Sequence, residues 1–117
     1  MAYMLLMIEP VGQRAARGVA AGHVVYDRML AFAESLKTRR LLRGVESLAA
    51  QSEGARVRVR DGRRSVVDGP FAEAKEMIGG FFLVDVATRE EAVALAAECP
   101  AAEWCTVEVR KLGPCWE

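Results

Sequence analysis

Residues 68–86 read Asp68-Gly69-Pro70-Phe71-Ala72-Glu73-Ala74-Lys75-Glu76-Met77-Ile78-Gly79-Gly80-Phe81-Phe82-Leu83-Val84-Asp85-Val86. The first part is a forced turn, because Gly69 accepts positive φ and Pro70 fixes its own φ near −65°. Asp68 therefore sits on pinned backbone, with the ionisable Glu73, Lys75 and Glu76 close behind it. From Gly79 to Val86 both alternating sets, Phe81/Leu83 and Phe82/Val84/Val86, are apolar, which predicts a strand covered on both faces.

A second strand of this kind stands at the start of the chain. Tyr3 to Glu9 alternates Tyr3/Leu5/Met7 against Met4/Leu6/Ile8, apolar on both sides. Pro10 to Gly22, rich in Gly, Ala and Arg, reads as a loop with some helical turns. From His23, the spacing of Val25, Met29, Phe32, Ala33 and Leu36 predicts an amphipathic helix that ends near Thr38-Arg39-Arg40. Leu41 to Ala49 reads as a strand, broken by Gln51-Ser52-Glu53-Gly54. Ala55-Arg56-Val57-Arg58-Val59-Arg60 alternates strictly, which predicts Val57 and Val59 buried and the arginines outward. Asp61-Gly62 signals a hairpin whose returning arm, Ser65-Val66-Val67, delivers the chain to Asp68.

Thr88-Arg89-Glu90-Glu91 matches a capping box and predicts a helix from about Arg89 to Glu98 that buries Ala92, Val93, Leu95 and Ala96 and stops at Pro100. Trp104 to Lys111 then alternates Cys105/Val107/Val109 against Trp104/Thr106/Glu108/Arg110, a strand with one apolar and one polar face. Strand-helix-strand thus occurs twice around a hairpin. This is the split βαβ plan of a ferredoxin-like α+β fold, a single domain over residues 1–117 with an inserted β-hairpin. Two helices cover one face of such a sheet, so the two-faced strands require cover on the other. The sheet of a second subunit is the simplest cover, in a homodimer with a cleft between or beside the sheets.

Composition narrows the function classes. The chain has 117 residues, 52% apolar, with 16 basic and 16 acidic side chains, which argues against disorder and against a field dedicated to nucleic acid. The three cysteines, Cys99, Cys105 and Cys115, lack C-x-x-C spacing, and His23 is the sole histidine. No metal site and no cofactor are expected from such a set. Met1 to Ile8 is too short for the apolar region of a signal peptide, and no run reaches the ~20 apolar residues of a membrane span. The expectation is a cytoplasmic protein with reduced thiols and no membrane partner.

Tyr3-Met4-Leu5-Leu6, Arg56-Val57-Arg58 and above all Asp68 to Glu76 with Gly79-Gly80-Phe81 resemble the YCII-related family in its DGPF-domain branch. The likeness continues through Glu91-Ala92, Cys99-Pro100 and Val107-Glu108-Val109-Arg110, missing only Pro10 to Gly22. The resemblance implies a ferredoxin-like subunit that forms a dimeric α/β barrel. Members of the wider family with a paired histidine and aspartate look like small-molecule enzymes, including ones that eliminate a halide. Members of the DGPF branch are often encoded beside extracytoplasmic-function sigma factors. His23 lies upstream of the wider family's active-site histidine relative to the first helix.

Two functional readings follow. In the first, a homodimer binds a small polar or anionic metabolite in a cleft near Asp68, which serves as a general base or anchor for a proton transfer. Glu73, Lys75 and Glu76 would hold polar groups of the ligand, and Arg110 a carboxylate in bidentate fashion. His23, four residues before Asp27, would supply the only acid-base pair that contains a histidine. In the second, Asp68 is a structural cap and Glu73, Lys75 and Glu76 a solvated cluster, in a regulatory or interaction protein linked to a sigma-factor pathway. The Arg56, Arg58, Arg60, Arg63 and Arg64 cluster reads as an exposed hairpin whose charges protect its edge, with no nucleic-acid partner. Gly79-Gly80 lacks the lysine of a phosphate loop and reads as close packing against another backbone.

Overall fold

A computed structural model describes residues 2–116. Strands β1 (Ala2–Pro10), β2 (Leu42–Ser47), β5 (Glu76–Asp85) and β6 (Thr106–Lys111) form one sheet in the order β2-β5-β1-β6, with every neighbouring pair antiparallel. Strands β3 (Ala55–Arg60) and β4 (Arg63–Asp68) form a separate two-stranded sheet. Helices α1 (Gln13–Arg17) and α2 (Val19–Thr38) connect β1 to β2, and α3 (Arg89–Glu98) connects β5 to β6. This α+β arrangement fits a ferredoxin-like split βαβ domain.

Both two-faced strands form, and their two apolar sets separate onto opposite faces of the sheet. On β1 the set Tyr3, Leu5, Met7 and Glu9 is buried beneath the helices, whereas Met4, Leu6 and Ile8 on the other face are half-buried. Phe82 and Val84 of β5 join the helix-side core, and Phe81 and Leu83 lie on the helix-free face. The centre of the core is Leu5, Leu36, Val84 and Cys99, with Phe32 of α2 edge-on to Phe82 at 5.2 Å between ring centroids. Thr88 caps α3 by accepting from the Glu91 amide at 3.2 Å, and the Glu91 carboxylate accepts from the Ala87 amide at 2.9 Å.

Several expectations need correction. Pro10 to Gly22 is mostly helical, and α2 begins at Val19 rather than His23, because Gly18 at φ 86° breaks the helix in two. Val93 is exposed, since α3 meets the sheet only along Ala92, Leu95 and Ala96. Val57 and Val59 are 62% and 59% exposed instead of buried. The hairpin leaves the main sheet, so neither of its faces has a layer to pack on. Its turn is as expected, with Asp61 and Gly62 both at positive φ, 53° and 75°.

Candidate functional site

A cavity of about 720 Å³ lies between the N-terminal half of α2 and the helix side of the sheet. Its origin is visible along α2. Phe32 and Leu36 are buried in the sheet, but Val19, Gly22, Val25, Tyr26 and Met29, at helical spacing on one side, line the cavity instead. The opposite wall is Met7, Val45, Ser47, Gly80 and Phe82. The body of the cavity is thus mostly apolar; Glu9, Arg14 and Arg17 gather where α1 meets β1, and Tyr26, Glu46 and Ser47 complete the polar lining.

That polar end is built on Glu9, which continues the buried parity of Tyr3, Leu5 and Met7 and is only 8% exposed. A carboxylate so placed needs a charged partner. Arg14 supplies it: Nε donates to Glu9 Oε1 at 2.6 Å, Nη1 to the Leu48 carbonyl at 2.8 Å and Nη2 to the Gly79 carbonyl at 3.4 Å. One guanidinium therefore ties α1 to the end of β1, the end of β2 and the start of β5. Gly79 makes this possible. It is the extra residue where the β1–β5 register shifts, and a Cβ there would stand 2.5 Å from Glu9 Oε2 and 2.9 Å from Arg14 Nη2. A Cβ on Gly80 would meet the Glu46 carbonyl at 2.7 Å, so the pair serves close packing, as its sequence suggested.

Arg17, on the same short helix, also lines the cavity, with its guanidinium 5.7 Å from the Trp104 ring centroid. Among the described residues it meets no carboxylate at ion-pair distance. Arg28 stands 5.5 Å from the same ring and is paired to Glu103, whose carboxyl that hydrogen bond holds below its usual pKa. Cys105 completes this end. Burial, then the charges of Glu9 and Cys99, push its thiol up to about 11 against the opposing pull of Arg17, so at neutral pH it is a thiol and not a nucleophile. Burial likewise raises the Cys99 thiol.

The YCII-related domain model matches residues 1–115. The chain belongs to the YCII-related family. It is also 40% identical over 70 residues to Uncharacterized protein R00369 of Rhizobium meliloti (strain 1021), a match covering 58% of this chain. The matched part spans 56% of that relative, little more than half its length.

In this YCII-related protein the residues singled out from sequence are spread over the surface. Asp68 is exposed at the last position of β4, opposite Ala55, and its carboxylate forms no hydrogen bond among the described residues. Glu73 and Lys75 are exposed in the following turn, and the Lys75 carbonyl accepts from the Val11 amide at 2.9 Å. Glu76 begins β5 opposite Pro10 and borders a smaller cavity of about 540 Å³. His23 and Asp27 are exposed on α2 without a bond between them, and Arg110 pairs with Glu108 at 3.3 Å on the helix-free face. None of Asp68, His23, Arg110, Glu73, Lys75 and Glu76 lines the larger cavity.

The Asp68-Gly69-Pro70-Phe71 motif instead forms the root of the hairpin. The Gly69 amide donates to the Gly54 carbonyl at 2.8 Å, and a Cβ on Gly69 would collide with the Gln51 carbonyl oxygen. Phe71 lies under the Arg56 guanidinium at 3.9 Å. Glu9, Arg14 and Arg17 belong to no motif recognised in the sequence. One signal was available: a glutamate at a buried strand parity, followed within two helical turns by arginines. No helix of the described residues is long and apolar enough to cross a membrane, and among them no three His, Cys, Asp or Glu side chains cluster as metal ligands.

Proposed function

We propose that this YCII-related protein is a homodimer that binds a small carboxylate with an apolar body in the cavity under α2. The observation that carries the reading is the pairing of an apolar cavity of about 720 Å³ with Arg17, a cation that lines it and meets no carboxylate among the described residues. Arg14 is already used by Glu9 and two carbonyls, so it stiffens the site while Arg17 receives the anion. Tyr26 and Ser47 add hydroxyls to the lining. Trp104 offers a flat apolar face beside the cation. The reading is one of binding; proton transfer by Asp68 or His23 is not part of it, because neither faces this cavity. The homodimer is supported by the half-buried Met4, Leu6, Phe81 and Leu83 on a sheet face that no helix of the chain covers.

A thermal-shift screen of aromatic and medium-chain carboxylates, each beside its matching primary alcohol, tests the reading. A ligand at about a hundredfold its Kd stabilises the folded state by about 2.7 kcal/mol. Carboxylates are expected to raise the wild-type Tm more than their alcohols do, and Arg17→Gln to erase the difference. Equal shifts in wild type and Arg17→Gln, or no shift with any carboxylate, would remove the basis of the proposal. The exposed hairpin favours a second reading, an interaction protein of a sigma-factor pathway. Co-purification with a sigma factor and no response to any small molecule would support it.

A further inference from the structure

We infer that the β3–β4 hairpin is a clasp that closes over a second copy of this chain. The inference rests on the homodimer reading above and adds to it a contact outside the main sheet. All residues of β3 and β4 are exposed, and Val57, Val59 and Val66 are 62%, 59% and 52% exposed. The register, Val57 opposite Val66 and Val59 opposite Arg64, puts these valines on one face of the ribbon together with Ala55. A lone two-stranded ribbon is marginally stable in water, and an apolar stripe along it gains stability only when something covers it. The arm is nevertheless held at its root, by Gly69 against Gln51 and Gly54 and by Arg56 over Phe71. A radius of gyration of 16.0 Å, against about 13 Å for a compact chain of this length, reflects the projection.

Charge names the occupant. Residues 55–68 carry five arginines and two aspartates, a side-chain charge of +3. The whole chain has 16 of each sign, so everything outside the arm carries −3. Arg60 lies directly opposite Arg63 on the face away from Val57, Val59 and Val66, an unfavourable pairing that nearby carboxylates relieve. The body offers them: Glu34, Glu46, Glu73 and Glu90 are exposed and form no ion pair among the described residues. The smaller cavity joins Ile8 and Ile78 of the helix-free face to Gly54, Arg56 and Phe71 at the arm root. A second copy seated on that face thus lies beside the arm, and its acidic body is opposite to the arm in sign. A nucleic acid would engage the arginines but leave the valines uncovered and meet a body of its own charge.

Sedimentation equilibrium on wild type, Val57→Lys/Val66→Lys, Arg58→Glu/Arg60→Glu and Phe81→Glu separates the contacts, with circular dichroism melts to check folding. Both arm variants are expected to weaken the dimer about tenfold or more. Added NaCl should weaken the wild type but have less effect on Arg58→Glu/Arg60→Glu. Hydrogen exchange of the amides in residues 55–68 should slow with rising wild-type concentration and lose that dependence in Val57→Lys/Val66→Lys. Arm variants that associate like wild type while Phe81→Glu dissociates would overturn the clasp and leave the sheet contact standing. A monomeric wild type would overturn both. A dimer unchanged in Arg58→Glu/Arg60→Glu, with loss of duplex DNA affinity in that variant, would overturn the clasp in favour of a polyanion site.

Discussion

A Cβ on Gly79 would displace the ends of the Glu9 and Arg14 side chains, which are bonded to each other. Gly79→Ala is therefore expected to destabilise the protein by roughly 1–3 kcal/mol through overpacking, measured as a lower urea midpoint at unchanged slope. A midpoint equal to wild type would mean that the Glu9–Arg14 pair yields at no cost. The cysteines allow a second test. Cys105 is raised to about 11, whereas Cys115 is exposed, so alkylation by iodoacetamide at pH 8 should modify Cys115 first. Mass spectrometry of the modified peptides reads the order, and equal rates at the two sites would contradict the dry setting of Cys105. The sign of its pH linkage follows. A thiol pKa raised in the folded state means that the unfolded chain ionises first, so its contribution is intact below about pH 9 and is lost as pH climbs towards 11.

At the level of elements, α3 depends on its ends more than on its length. Only Ala92, Leu95 and Ala96 are buried, so the Thr88 hydroxyl at the Glu91 amide is a large share of what holds its first turn. Thr88→Ala should cost about 1 kcal/mol and lower Tm by roughly 4 °C in a calorimetric scan. An unchanged Tm would show that sheet packing alone sets this helix. Helix α2 differs along its length. Its C-terminal half is seated on the sheet through Phe32 and Leu36, while its N-terminal half roofs the cavity, and the Gly18 break lets α1 turn Arg14 and Arg17 towards the same space.

For the whole molecule the helix-free face sets the state of assembly. The helix-free face presents Met4, Leu6, Phe81 and Leu83, and a single copy leaves them half-buried. Light scattering at micromolar concentration should give twice the mass of the 12.8 kDa chain. Phe81→Glu should give a folded monomer, since Phe81 points away from the core of Leu5, Leu36 and Val84. A wild-type monomer, or a dimeric Phe81→Glu, would require another explanation for the apolar face.

Much of the architecture was legible in local pattern. Runs apolar on both faces marked β1 and β5, period-two alternation marked β6, the capping box marked α3, and Asp61-Gly62 marked the hairpin, because each signal depends on residues a few positions apart. The candidate site was not legible in the same way. Glu9 and Arg14 are near in sequence, but the carbonyls that complete the arginine's bonding come from Leu48 and Gly79, 34 and 65 residues away. Val57 and Val59 alternate as buried residues do, yet alternation records which face is apolar and not whether another layer lies on it. The Asp68 motif announced a pinned turn, which it is. Folding, which sets Gly69 against Gln51 and Phe71 under Arg56, made that turn the root of an arm and left the cavity to α2 and the sheet.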